Sequence, residues 1–437
     1  MDLMGIVSKI KSSEIMQRIM KGAFWSFTGT ALAKFIVLLA GIISARILGK
    51  EAYGEFGMVR STVNLFVVFG TAGLGMTASK FISEYRKTQK AKASKIYLVT
   101  NRFAIFTGLI VTTLILFFSE TIASHTLNAP HLATPIRVGS FLLFVTVLNG
   151  AQEGCLSGLE AFKSIAINTL LGSIAESILM VLGGYLYGVT GAIIGFGCGF
   201  CVLYICNRIA IRKNLAKNEI TVVNEKISAK DFKVIYRFTL PAALASFMTM
   251  PVYWIMRTML VDKEGFGSLA IYDAADQWRL IIIFIPVAVS KIALPILSSL
   301  TGTDKKQFWK VLTINLVLNT SIATILSIVV ILASKNIMHS YGEGFDDTIP
   351  LTILAISTIP YAIANIVGLS IASRSKMWTG FVFNAIWAIM MLLFCTHFLE
   401  NGYGASSLAY AALYSYLIHA SIQFMYLVIN TKRNNKI

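Results

Sequence analysis

Charge is scarce in this chain. Asp, Glu, Lys and Arg make up 14% of its 437 residues, against about 25% in a typical soluble domain. The five histidines, His125, His131, His339, His397 and His419, are scattered. None has a second member at metal-ligand or triad spacing, which argues against histidine-based metal or nucleophilic chemistry. The five cysteines, Cys155, Cys198, Cys201, Cys206 and Cys395, sit in or beside apolar runs. Cys198 and Cys201 form a CxxC with no partnering Cys or His nearby, so they read as small packing residues and no metal is expected. Alternation with a period of two is absent, which argues against a membrane β-barrel. No gap between apolar runs exceeds roughly 30 residues, too short for a domain with its own core.

What is present is long apolar sequence. Hydrophobic residues make up 56% of the chain, and the mean hydropathy is +0.71. The runs predict helical spans over 22–45, 56–79, 98–119, 133–157, 165–187 and 189–208, then 234–256, 268–296, 310–333, 348–371, 377–398 and 403–428. Each is near the length that crosses about 30 Å of hydrocarbon. Backbone groups in lipid must be paired within the segment, which selects helices. The first run is too long for a signal-peptide core and is expected to be retained. Pro286 and Pro295 are expected to divide or bend the long 268–296 stretch.

The formal net charge of +17 would suggest nucleic acid in a soluble protein, but its distribution points to a membrane surface. Of 38 Lys and Arg, 28 fall in alternate gaps: 1–21, 80–102, Lys163, 208–237, 305–310, 374–376 and the tail. Such basic gaps belong in the cytoplasm. Both termini are therefore expected inside, with anionic lipid headgroups as neighbours and no nucleic acid.

The chain also repeats itself at an offset of 213 residues. "GKEAYGEF" at 49–56 matches "DKEGFGSL" at 262–269, Ser157 pairs with Ser370, and Lys163 with Lys376. Six spans per half preserve topology, giving parallel repeats. The expected fold is an all-α polytopic membrane protein of about twelve transmembrane helices in two six-helix bundles. Its divisions are a cytoplasmic N-terminus (1–21), a first bundle (22–208), a basic linker (209–233), a second bundle (234–428) and a cytoplasmic C-terminus (429–437).

The segment "ARILGKEAYGEFGMVRSTVNLFVVFGTAGLGMTASKFISEYR" at 45–86, with "GCLSGLEAF" at 154–162 and "GVTGAIIGF" at 188–196, resembles the polysaccharide-biosynthesis, or O-antigen flippase, family. That family lies within the multidrug/oligosaccharidyl-lipid/polysaccharide exporter superfamily. The resemblance implies flipping of an undecaprenyl-diphosphate-linked oligosaccharide across the bacterial cytoplasmic (inner) membrane, for O-antigen, capsule or exopolysaccharide assembly. A glycan polymerase and glycosyltransferases would be its partners. It implies no enzyme activity and no cofactor beyond a proton or sodium gradient.

Charges within spans are costly and mark function or buried pairs. Lys34 lies near the middle of the first span, too deep to snorkel easily. It reads either as a cationic contact for a diphosphate or as one half of a buried ion pair. Arg60, Arg257, Arg279 and Lys291 lie near helix ends or in bent segments and are candidates for phosphate binding or headgroup snorkelling. Arg60 has Asp273 at its repeat-equivalent position. Glu176, mid-span with Ser173 and Ser177 nearby, is the ion-coupling candidate or a structural ion-pair partner. Two other functions fit the pattern less well. A cation-coupled multidrug exporter would favour carboxylates and aromatic rings, and a non-transport scaffold of a glycan-assembly complex would have little use for deep charges.

Overall fold

A computed structural model of the protein describes residues 14–71, 73–222, 248–300, 305–374 and 377–433. The described regular structure is helical throughout. In the first part of the chain the helices are α1 (Glu14–Leu48), α2 (Lys50–Thr71), α3 (Leu74–Tyr85) and α4 (Lys90–Thr121), then α5 (Ala133–Gly158) and α6 (Phe162–Lys217). They continue as α7 (Thr249–Leu300), α8 (Lys305–Leu332), the short α9 (Ser334–His339), α10 (Ile349–Ser373), α11 (Met377–Glu400) and α12 (Ser406–Arg433). Among the described residues, nine helical stretches are long and apolar enough to cross a membrane. Large apolar side chains such as Phe117 and Leu332 are 80% and 82% exposed, which suits a lipid solvent. The chain is an all-α, multi-pass membrane protein. Most of the expected span 234–256 lies outside the described residues, as do the N-terminal 1–13 and residues 223–233 of the basic linker.

α6 and α7 are each too long to be one crossing. A straight helix of 56 residues would run roughly 84 Å. Non-helical dihedrals interrupt α6 at Tyr187 and at Gly188, where φ is +58°, a value that L side chains rarely adopt. The chain doubles back there. Gly183 abuts Gly191, Asn168 Nδ2 donates to Asn207 Oδ1 at 2.9 Å, and Asn214 reaches Ser164 at 3.5 Å. α6 is therefore a helical hairpin with its turn after Tyr187. α7 does the same at Gly265, where φ is +79°. Arg257 on its first arm meets Asp273 on its second. The break at Gly265 falls in the gap between the expected spans 234–256 and 268–296, and α7 continues undivided through Pro286 and Pro295. A proline keeps a helix-compatible φ and removes only one N–H, and Ser290 Oγ donates to the buried Pro286 carbonyl at 2.7 Å.

The described residues form two compact units. One gathers those within Met1–Gly41, Thr62–Ser124 and Ala129–Phe247; the other gathers Ile42–Ser61, His125–Asn128 and those from Met248 onward. In the first, α5 is central and packs on α3, α4 and α6. Its contact with α3 depends on absent side chains: Gly154 lies against the backbone of Gly75, and Gly158 against Ile82 and Ser79. Small residues let membrane helices approach this closely. In the second unit, α10 packs on α7, α8 and α12. Leu297, Leu312, Val367, Ile371 and Leu427 meet in its apolar core.

A Cβ at position 154 would meet the Gly75 carbonyl carbon at 2.7 Å. Gly154→Leu is therefore expected to lower stability by about 1–3 kcal/mol through overpacking, read as a lower unfolding midpoint in detergent and lower membrane abundance. Gly380→Ala in α11, where nothing lies within 4 Å, should leave both unchanged. Wild-type stability of the Gly154→Leu protein would reject the close-approach account.

Candidate functional site

The second unit buries a four-residue ionic network that spans the two arms of α7. Tyr253 and Arg257 belong to the first arm. The second carries Tyr272, Asp273, Asp276 and Arg279, whose spacing of three keeps Asp273, Asp276 and Arg279 on neighbouring turns. Arg257 Nε donates to Asp273 Oδ1 at 3.1 Å, and its Nη2 lies 3.0 Å from the same oxygen. Arg257 Nη2 also donates to Asp276 Oδ2 at 3.3 Å, while Arg279 Nε donates to Asp276 Oδ1 at 2.6 Å. Asp276 thus bridges two guanidinium groups, one on each carboxylate oxygen. Their side-chain exposures run from 3% for Asp273 to 13% for Arg257.

Aromatic rings surround this network. The Arg257 guanidinium lies 5.3 Å from the Tyr272 ring centroid, and that of Arg279 lies 5.6 Å from Tyr253, both within cation–π range. The Tyr253 hydroxyl is 2.9 Å from that of Tyr416 on α12. Tyr416 stacks on Trp387 of α11 at 5.7 Å and meets Tyr361 of α10 edge-on at 5.1 Å. Four charges are therefore walled by rings from four helices. Gly57 of α2 abuts Asp273 Oδ2, an oxygen with no hydrogen-bond partner among the described residues.

Of the residues singled out in the sequence, Arg257 and Arg279 come together through Asp276. Arg60 lies one turn beyond Gly57 on α2, its guanidinium 5.4 Å from the Phe56 ring and within electrostatic range of Asp276. Lys291 is in α7, but its side chain lies outside the described residues. Lys34 and Glu176 belong to the other unit. Lys34 is exposed on α1, and Glu176 is half-buried on the first arm of α6, packed against Gly199 of the second. The sequence reading stressed the cations and passed over Asp276 and the four tyrosines. The "YDAADQWR" run carried a signal, since two acids and an arginine at spacings of three on an apolar helix must find partners.

Away from these charges, a cavity of about 320 Å³ opens beside the end of α5 and is lined by Arg86, Lys87, Glu160 and Lys217, among others. There Arg86 Nη1 donates to the Leu159 carbonyl at 2.9 Å, and Arg86 pairs with Glu160. The arginine is thereby committed to tying α3 to the end of α5. Among the described residues, no group of three His, Cys, Asp or Glu is placed to hold a metal ion.

Removing Asp276 would leave Arg257 with Asp273 and Arg279 buried without its carboxylate partner. Asp276→Ala is expected to cost about 3–5 kcal/mol, measured as a fall in unfolding midpoint of the purified protein. Asp276→Ala with Arg279→Met should recover part of the loss, because Arg257 keeps Asp273. An Asp276→Ala protein as stable as wild type would refute the bridging role.

Comparison with known proteins places this architecture. A multidrug resistance MATE family transporter of the MOP superfamily, solved in an inward-facing conformation, superposes with a TM-score of 0.79 at 14% identity, over 92% of this chain and 96% of that one. A MOP superfamily transporter from Pyrococcus furiosus superposes with a TM-score of 0.72 at 15% identity, over 94% and 95% of the two chains. These likenesses show that this chain shares their fold. By sequence, the EPS I polysaccharide export inner membrane protein EpsE of Ralstonia nicotianae is 21% identical over 411 residues, covering 89% of this chain and 90% of that protein. A putative O-antigen transporter of Shigella flexneri is 21% identical over 295 residues, covering 66% and 68%. The family model described as polysaccharide biosynthesis protein matches residues 19–301, well over half of the chain, and the chain belongs to that family.

Proposed function

We propose that this protein flips a lipid-linked oligosaccharide, carried on undecaprenyl diphosphate, across the bacterial cytoplasmic membrane by alternating access. Membership of the polysaccharide biosynthesis family and the transporter fold support transport of a glycan or lipid substrate. The observation that carries the finer reading is the set of intramembrane guanidinium groups on α7, held in fixed orientation and ringed by tyrosines. Arginine matches phosphate oxygens in pairs, and aromatic walls suit sugar rings. Asp273 and Asp276 keep Arg257 and Arg279 ionised and positioned until an anionic diphosphate competes for them. Lys34 supplies a further cation on α1. Twelve crossings in two parallel six-helix halves follow if the α6 and α7 hairpins each count as two, the first arm of α7 overlapping the expected span over 234–256. The basic gaps then face the cytoplasm beside anionic lipids, with both termini inside and a glycan polymerase and glycosyltransferases as partners.

The runner-up is export of organic cations. Asp273 and Asp276 among tyrosine and tryptophan rings are the observation in its favour. Proteoliposomes separate the two. The proposed function requires translocation of lipid-linked oligosaccharide, whereas gradient-driven uptake of a lipophilic cation without glycan-lipid movement would replace it.

Lys34→Ala should abolish or strongly reduce flipping at near-normal abundance, with precursor accumulating in the cytoplasmic leaflet, and Lys34→Arg should retain more activity. Normal flux through an equally abundant Lys34→Ala protein eliminates this contact.

Glu176→Gln should still bind the glycan lipid but lose its response to an imposed proton or sodium gradient. A structural role would instead lower abundance or thermal stability. Wild-type gradient stimulation of the Glu176→Gln protein would remove Glu176 from coupling.

A further inference from the structure

Three side chains on one face of α5 present oxygen acceptors that no donor meets among the described residues. Asn149 and Gln152 are 3% and 4% exposed. Asn149 Nδ2 donates to the Phe200 carbonyl on the second arm of α6 at 3.0 Å. That bond fixes the amide, and its Oδ1 is left without a partner, as is Gln152 Oε1. Glu153 is half-buried, and no hydrogen bond or ion pair engages it among the described residues. Positions 149, 152 and 153 stand at i, i+3 and i+4, so Gln152 and Glu153 each neighbour Asn149 on the helix surface, one on either side of it. The set lies inside the apolar stretch Pro130–Gly158, with Glu153 roughly 7–8 Å from the end of α5.

Buried polar atoms nearly always find a partner, and here the missing partner has a defined chemistry. Two amide oxygens and a carboxylate, with no cationic side chain paired to them, are completed by a cation. Hard oxygen donors without thiolate or imidazole select alkali or alkaline-earth ions. One carboxylate balances one positive charge, and a divalent ion would leave a net charge in a low-dielectric interior. A proton would neutralise Glu153 and give it one O–H donor, which can meet one amide oxygen but not both. We propose that Asn149, Gln152 and Glu153 form a sodium-binding site in the first unit, separate from Glu176 and from the α7 network. The Phe200 bond lets this site sense the packing of α5 against α6.

The test is equilibrium binding of radioactive sodium to the purified full-length protein in nanodiscs, with choline chloride holding ionic strength and no glycan lipid present. Binding is thus scored independently of the proposed substrate. Wild type should bind sodium saturably, and Glu153→Gln should weaken binding by at least about tenfold. Gln152→Met, which removes one oxygen at similar volume, should also weaken it. This variant should raise the unfolding midpoint in choline, because an unmet buried acceptor is gone. It decides the matter if Glu153→Gln fails to fold. The proposal is overturned by absence of saturable sodium binding in wild type, or by wild-type affinity in a folded Glu153→Gln or Gln152→Met protein. It is equally overturned by a sodium signal that survives Glu153→Gln and disappears in Glu176→Gln.

Discussion

Asp276 holds two guanidinium groups at once, within a helix long enough to cross the bilayer. An isolated ion moved into such an interior costs several kcal/mol even after relaxation, so the second unit must bring its charges together before it can pack. The geometry that does this is the α7 hairpin. Turning at Gly265 brings Arg257 back alongside Asp273 and Asp276, and the rings of Tyr253, Tyr272 and Tyr416 then exclude lipid and water from the group. Helices α10, α11 and α12 contribute to this wall, so the ionic network and the helix packing of the unit depend on one another.

The first unit follows a different rule. Its helices approach chiefly through glycines, with Arg86 tying α3 to the end of α5. Gly154 against Gly75, and Gly183 against Gly191, bring backbones together where any side chain would intrude. Asparagines cross-link the α6 hairpin, with Asn168 bonded to Asn207 and Asn214 to Ser164. Such contacts hold membrane helices together without a hydrophobic driving force, since lipid tails are as apolar as the side chains they would replace. Among its ionisable groups, Lys34, Glu153 and Glu176 stand on α1, α5 and α6.

The helical class and the membrane setting were legible because hydropathy and length act locally. The break between the sixth and fifth expected spans, at residue 188, coincides with the turn at Gly188, since a glycine amid tyrosines at a polar dip is a local signal. The α7 turn at Gly265 likewise falls between the expected spans 234–256 and 268–296, where glycine supplies the positive φ that reverses the chain, and the prolines further on leave the helix undivided. Arg257 and Arg279 were legible as intramembrane cations. Their partners were not weighed: Asp276 stands three residues before Arg279 and was within reach of a sequence reading, whereas Tyr416 meets Tyr253 from 163 residues away and only folding brings it there. Glu153 escaped notice because it sits close to a helix end, where an acid looks solvated until its neighbours are known.

By itself the sequence determined that this chain is a helical membrane protein, where most of its spans fall and which charges lie within them. These properties follow from the cost of exposing backbone and charge to hydrocarbon, paid residue by residue along the chain. Tertiary structure alone decided that two long helices fold back on themselves, that two arginines share one aspartate, and that acceptors on α5 stand without donors. Pairing is a property of positions in space, and residues remote in sequence become partners only when close packing removes the water or lipid that would otherwise separate them.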